Sequence, residues 1–176
     1  MTSVLFDFAD PDEVALWSPI NDGVMGGVSS SLLRSDPAGH AVFAGHVSFE
    51  NNGGFASVRC RPCDLGRKGV VAYLLEVRGD GKRYKLNLRT DNGFDGINYQ
   101  RRFDPPAGVW TTCRLASTDF LPTWRGKPVS DAPPLDTSKL RQIGLMIADR
   151  QEGPFELAVR AIAVEVAGDA ITGSGS

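Results

Sequence analysis

Residues 83–103 read R-Y-K-L-N-L-R-T-D-N-G-F-D-G-I-N-Y-Q-R-R-F, two alternating runs joined by a turn. In the first run Tyr84, Leu86 and Leu88 fall on one side of an extended chain, and Arg83, Lys85, Asn87 and Arg89 on the other. In the second, Ile97, Tyr99 and Phe103 oppose Asn98, Gln100 and Arg102. A period of two with β-formers on one side is the pattern of half-buried strands. Asp91-Asn92-Gly93 between them is turn chemistry. If the two strands pair, their polar sides merge into one surface rich in Asn, Gln and Arg. Those groups suit planar recognition of hydroxyls, carboxylates or phosphates. The alternative is an ordinary solvated outer face.

Outward from this hairpin the same pattern continues. Gly69 to Arg78 is strongly apolar, with Val70, Val71, Tyr73, Leu74, Leu75 and Val77 on both sides as in a central strand, and Gly79-Asp80-Gly81 turns the chain. Residues 4–8, 28–33, 40–49, 55–61 and 110–115 also read as strands. Residues 140–148 fit helix or strand, with Ile143, Leu145 and Ile147 favouring strand. Phe155, Leu157 and Val159 change phase to Ile162, Val164 and Val166, which predicts a β-bulge near 160–161. Asp10-Pro11-Asp12-Glu13 starts one brief helix, with Asp10 as its cap. The proline-rich stretch 117–138 is too long for a plain connection and reads as a packed or functional loop. About nine or ten short strands at roughly ten-residue spacing predict an all-β fold, a jelly-roll β-sandwich with one short N-terminal helix. A single domain over 1–168 and a flexible tail over 169–176 are expected.

Composition narrows the function. A net charge of -2, from 19 basic and 21 acidic residues, argues against electrostatic nucleic-acid binding. No apolar run is long enough to span a bilayer, and the N-terminus has neither a basic segment nor an apolar core typical of a signal peptide. A cytoplasmic chain with its three cysteines reduced is the expectation, with no membrane insertion. Cys60-Arg61-Pro62-Cys63 lacks a second ligand pair for zinc and a βαβ context for redox work, so strand-end packing is its reading. Asp91 to Arg102 lacks the oxygen ligands of a calcium loop. Arg78-Gly79-Asp80 is read as a hairpin turn. There is no G-x-S-x-G, P-loop or H-E-x-x-H, and His40 and His46 are the only histidines. No catalytic residue, metal site or cofactor is assigned.

Residues 17–31, W-S-P-I-N-D-G-V-M-G-G-V-S-S-S, hold more glycine than one turn needs. A contact loop and a plug at one end of a sandwich both fit. N-D-G-V-M-G-G-V-S-S-S at 21–31 resembles the signature of the complex I intermediate-associated 30 kDa protein family. F-A-G-H-V-S-F-E-N-N-G-G-F-A-S-V-R at 43–59, R-G-D-G-K-R-Y-K at 78–85, F-L-P-T-W-R-G at 120–126 and I-G-L-M-I-A-D-R-Q-E-G-P-F-E-L at 143–157 continue the resemblance in order. It implies a galactose-binding-like jelly roll, similar to some carbohydrate-binding modules, in a small stand-alone bacterial-type member. It further implies the manner of respiratory complex I assembly factors: chaperone-like, non-catalytic protein–protein recognition. The alternative is a small polar ligand or sugar on the concave face. The candidate binding residues are Trp17, Asn21, Asp22 and Met25 in the opening loop, and Arg59, Tyr84, Gln100, Trp124, Arg125 and Gln151 around that face. Trp17 and Tyr84 also read as core residues.

Overall fold

A computed structural model describes residues 1–21, 30–48, 54–93, 96–125, 127–149 and 151–167, and all secondary structure below refers to these. Two antiparallel sheets pack face to face. The first comprises β3 (Ser30–Asp36), β4 (His40–Val47), β13 (Gly153–Val166), β6 (Val70–Arg78) and β9 (Trp110–Ala116), in that order, with β1 (Thr2–Asp7) also on β13. The second runs β11 (Lys127–Pro128), β10 (Leu121–Trp124), β8 (Asn98–Phe103), β7 (Tyr84–Arg89), β12 (Gln142–Ile147), β5 (Ala56–Cys60) and β2 (Trp17–Asn21). This is the expected all-β sandwich. Its core lies between the sheets, where Phe43, Leu75, Val159 and Ile162 meet Tyr84, Leu86, Leu88, Ile143 and Leu145.

The phase change in β13 has the predicted cause. Its register against β6 shifts between Val159 and Ala161, so one extra residue lets Phe155, Leu157 and Val159, then Ile162 and Val164, all face the core. β4 and β1 then share one edge of β13, pairing with its first and second halves. The helix is α1 (Pro11–Val14), and Asp10 caps it by accepting from Asp12 N at 2.9 Å. Glu13 reaches past the cap and accepts from Asp7 N at 2.7 Å, tying α1 to the end of β1.

Two expectations need correction. Residues 17–21 are not loop: they form β2 at the edge of the second sheet, where Pro19 is tolerated because its missing N–H is not called on by a further strand of that sheet. The stretch 117–138 is not wholly irregular. It carries β10 and β11, with 3₁₀ turns at Ser117–Asp119 and Thr137–Lys139. The expected 169–176 tail lies outside the described residues.

The C-x-x-C segment is packing. Cys60 is buried and its sulfur accepts from Ile143 N at 3.3 Å. Burial pushes the thiols of both Cys60 and Cys63 up, which favours the neutral, unreactive form. The chain after it docks on 137–141: Cys63 N donates to Arg141 O at 2.9 Å, Arg67 N to Thr137 O at 3.0 Å, and the Thr137 hydroxyl to Arg67 O at 3.0 Å. Gly66 lies against the Ser138 carbonyl so closely that a Cβ would collide with backbone, not with a movable side chain. Gly66→Ala is therefore expected to cost about 2 kcal/mol by forcing the two segments apart. Urea unfolding checks this, and an unchanged midpoint would show that the docking yields freely.

Candidate functional site

Directly opposed residues in an antiparallel ladder share a face. In the second sheet Ser18 opposes Arg59, Arg59 opposes Gly144, Gly144 opposes Asn87, Asn87 opposes Gln100, and Gln100 opposes Leu121. These six residues form one row across six strands on the side away from the core, roughly 24 Å long at the usual strand spacing. The neighbouring row is Ile20, Ser57, Met146, Lys85 and Arg102. The pairing of β7 with β8 that the polar-face reading requires is thus present.

The centre of this face is polar and tightly packed. Asn87 is only 5% exposed, and its Nδ2 donates to the Met146 sulfur at 4.0 Å. Gln100 Nε2 donates to the same sulfur at 3.8 Å. The buried Oδ1 atoms of Asn87 and Asn98 have no hydrogen-bond partner among the described residues. Gly144 contributes no side chain: a Cβ there would lie 3.7 Å from the Cβ atoms of both Arg59 and Asn87 and 3.1 Å from Val58 O.

The rim is pinned at both ends. At one end Lys85 pairs with Asp149 at 3.2 Å. Gln151 clips the β12–β13 connection to β7 like an extra strand pair, accepting from Arg83 N at 2.8 Å and donating to Arg83 O at 2.7 Å and Ala148 O at 2.8 Å. At the other end Arg89, 1% exposed, grips Asp91 with two bonds of 3.0 Å, and Gln142 Nε2 donates to Asp91 O and Gly93 O at 2.8 and 3.0 Å. Among the described residues of these strands, no aromatic and no carboxylate side chain stands on this face.

The candidate residues therefore separate. Arg59 and Gln100 share the central row. Gln151 is on the rim, with its amide committed to holding the loop. Tyr84 belongs to the core: it is fully buried among Phe43, Phe103 and Phe155, and its hydroxyl donates to Asp80 Oδ1 at 3.0 Å. Trp17 is likewise core, with Phe6 and Phe8 at ring-centroid distances of 5.2 and 5.7 Å. Neither is a surface contact, because the sandwich needs their large apolar areas inside. Trp124 is 46% exposed with the Arg125 guanidinium 4.8 Å above its ring. Thr123 opposes Asn98 on the polar face, so alternation turns Trp124 to the side of Pro122 and Tyr99. Trp124 and Arg125 mark the sheet edge rather than border the face, and Arg125 takes the left-handed conformation, φ +51°. Asn21 ends β2 opposite Ala56. Asp22 and Met25 lie outside the described residues.

Sequence reasoning misses Gly144 and Met146. Alternation in Ile143-Gly144-Leu145-Met146-Ile147 places both opposite the core side, but nothing local says that β12 lies between β5 and β7. It also misses Trp110 on the outer side of the first sheet, where Arg160 and Arg78 stack at 3.9 and 5.1 Å and Arg160 pairs with Glu76 at 2.7 Å. His40 packs edge-on to this ring at 5.2 Å, and its burial holds the imidazole below its ordinary pKa. Among the described residues no group of three or more His, Cys, Asp or Glu is placed to hold a metal ion. No helix among them is long and apolar enough to cross a membrane.

Among solved structures, the chain is similar to the Family 11 carbohydrate-binding module of the cellulosomal cellulase Lic26A-Cel5E of Clostridium thermocellum, with TM-score 0.71, 16% identity and 95% of each chain covered. A second structure of that family, in complex with a beta-1,3-1,4-mixed-linked tetrasaccharide, matches with TM-score 0.68 and 18% identity over 94% of this chain and 96% of the other. These likenesses establish the jelly-roll sandwich. In sequence, the chain is 24% identical to mitochondrial complex I intermediate-associated protein 30 of Drosophila melanogaster, over 93% of this chain and 63% of that protein. It is 27% identical to the Neurospora crassa protein of the same name, over 88% and 70% respectively. The chain thus spans less than two thirds of the fly protein's length. The family description Complex I intermediate-associated protein 30 (CIA30) matches residues 6–159, nearly the whole sandwich, and the chain belongs to that family.

Proposed function

We propose that this chain is a non-catalytic binding module that recognises protein partners, in the manner of the assembly factors for which its family is named. The outer face of the second sheet is its recognition surface. The observation that carries this is the row Arg59, Gly144, Asn87, Gln100 and Leu121, flanked by Ile20 and Met146. It combines planar donors with an adaptable thioether and branched apolar groups, the mixture suited to a polypeptide surface. The fly and Neurospora relatives are mitochondrial, whereas a cytoplasmic, bacterial setting is the reading proposed for this chain.

Quantitative affinity capture from native lysate tests the surface. An Arg59→Ala, Gln100→Ala double variant that keeps its thermal midpoint is expected to lose at least one partner that the wild type retains. Capture of an identical partner set by the folded variant would sink the assignment. The second reading is glycan recognition, favoured by the under-partnered amides at the centre and by the carbohydrate-binding modules with this fold. Its test is a panel of soluble glycans, on which the wild type is expected to bind nothing if the first reading holds.

A further inference from the structure

We propose that Asn87, Gln100 and Met146 form a subsite that reads the main chain of an extended polypeptide, with the Met146 sulfur standing in for a peptide carbonyl in the free protein. This rests on the binding-module reading and names the ligand of its central row.

Each of the two side-chain amides carries the donor and acceptor of a peptide group. They stand directly opposite each other on β7 and β8, so they present these groups side by side. Both donate to a single thioether sulfur, at 4.0 and 3.8 Å. Sulfur of this kind is a weak acceptor, and two amide donors on it are poorly satisfied. Independently, Asn87 Oδ1 has no partner among the described residues, although the residue is only 5% exposed. A buried polar atom left in this state costs free energy, so the site is built for something that supplies both a donor and a good acceptor. Asn98 stands on the same face at the diagonal position, about 7–8 Å away by backbone geometry, and its Oδ1 is a second acceptor without a partner among the described residues. Gly144 puts no side chain between Arg59 and Asn87, whose Cβ atoms would each lie 3.7 Å from a Cβ built there.

A peptide unit fits these requirements. Its C=O takes the place of the sulfur as acceptor for Asn87 Nδ2 and Gln100 Nε2, and a neighbouring N–H donates to Asn87 Oδ1. The unbranched Met146 side chain swings aside at small cost and packs on the ligand's apolar groups. Ile20 and Leu121 extend that apolar contact at either side. A sugar ring would ask for an aromatic platform, and the described residues of this face offer none.

The test uses the full chain with three probes: reduced, carboxymethylated α-lactalbumin as a permanently unfolded chain, native α-lactalbumin, and mixed-linkage β-glucan. Wild type is expected to bind the unfolded chain over the native one. Gln100→Leu, at a half-exposed position that tolerates it, should weaken that binding about tenfold. Met146→Leu keeps the volume but removes the competing acceptor, so it should tighten binding about three- to tenfold. A purely structural methionine would lower the thermal midpoint and leave affinity unchanged, and that result overturns the proposal. Binding of β-glucan instead, with the same dependence on residues 100 and 146, also overturns it while preserving a binding module. Failure to bind any probe, with partners still captured from lysate through Arg59 and Gln100, removes the main-chain subsite alone. Failure of both removes the underlying reading as well.

Discussion

Raising the pH from about 8 to about 11 is expected to remove several kcal/mol of stability, with the loss beginning near the ordinary thiol pKa. The cause is a set of neutral acids held in the core. Burial lifts the Cys60 thiol from 9.0 to about 12. It also raises Cys63, Cys113 and the phenols of Tyr73, Tyr84 and Tyr99. Above about pH 9 the unfolded chain releases these protons while the folded chain retains them. The unfolded state then binds fewer protons, so stability falls as pH rises through this window and is fully present below it. Cys60 alone contributes a loss on the order of 2–3 kcal/mol by about pH 11. Tyr84 adds to it, because burial and then Asp80, which accepts its hydroxyl bond, oppose a negative charge there. Urea titrations at a series of pH values measure the slope. Cys60→Ala should flatten it between about pH 9 and 12 while costing about 1 kcal/mol at neutral pH for the lost packing. Parallel curves for the variant and wild type would show that this thiol is not held neutral by folding.

The same burial shows where local sequence reading succeeds. Alternation in 83–103 is a property of each strand and requires no knowledge of neighbours, so it identifies both the core side and the polar side of β7 and β8. The bulge in β13 is equally local, since an apolar run that changes phase keeps its side chains inside only by inserting one residue. Trp17 shows the converse. Trp17-Ser18-Pro19 looks like loop chemistry because proline has no ladder donor. Its place at a sheet edge, which makes the proline acceptable, is a fact of tertiary order.

The candidate face is readable only up to its width. Residue chemistry points to Arg59 and Gln100, but what joins them is Gly144, a residue with no side chain on a strand remote in sequence from both. Gln100 reaches Gly144 only through Asn87, and Arg59 reaches it from the opposite side. Strand order is set by which apolar sides meet in the core, so a row running across strands cannot be read along the chain. Trp124 illustrates the same limit. Its residue type suits a binding platform, but the register of β10 against β8 turns it away from the polar face.

Replacing Asp91 with alanine is expected to cost about 2 kcal/mol, more than the side chain's half-exposed position suggests. The reason lies with its partner. Arg89 is 1% exposed, and both bonds to Asp91 are 3.0 Å, a bidentate grip on a guanidinium that has almost no access to water. Loss of the carboxylate removes two charge-assisted bonds from that buried guanidinium. Water replaces part of the interaction on the exposed side of Asp91, which keeps the cost below the value for a fully buried pair. Gly96 closes over the pair: a Cβ there would lie 2.6 Å from Arg89 Nη2 and 2.8 Å from Asp91 Oδ2, so the turn and the ion pair are built together. Removing both charges in an Arg89→Met, Asp91→Ala double variant should cost less than the sum of the single changes, because no buried guanidinium then loses its carboxylate bonds. A double-mutant cycle by urea unfolding measures this coupling, expected at about 1–2 kcal/mol. Strict additivity would mean that Arg89 is stabilised independently of Asp91. The cycle also bears on recognition, since Arg89 lies on the same side of β7 as Asn87 and opposes Gln142, whose amide holds the backbone of the same turn. Loosening that end should alter the spacing of the β7 and β8 amides and weaken polypeptide binding in proportion to the stability lost in the turn. An Asp91→Ala protein that binds unfolded α-lactalbumin as wild type does would show that the central row is positioned by its strands alone.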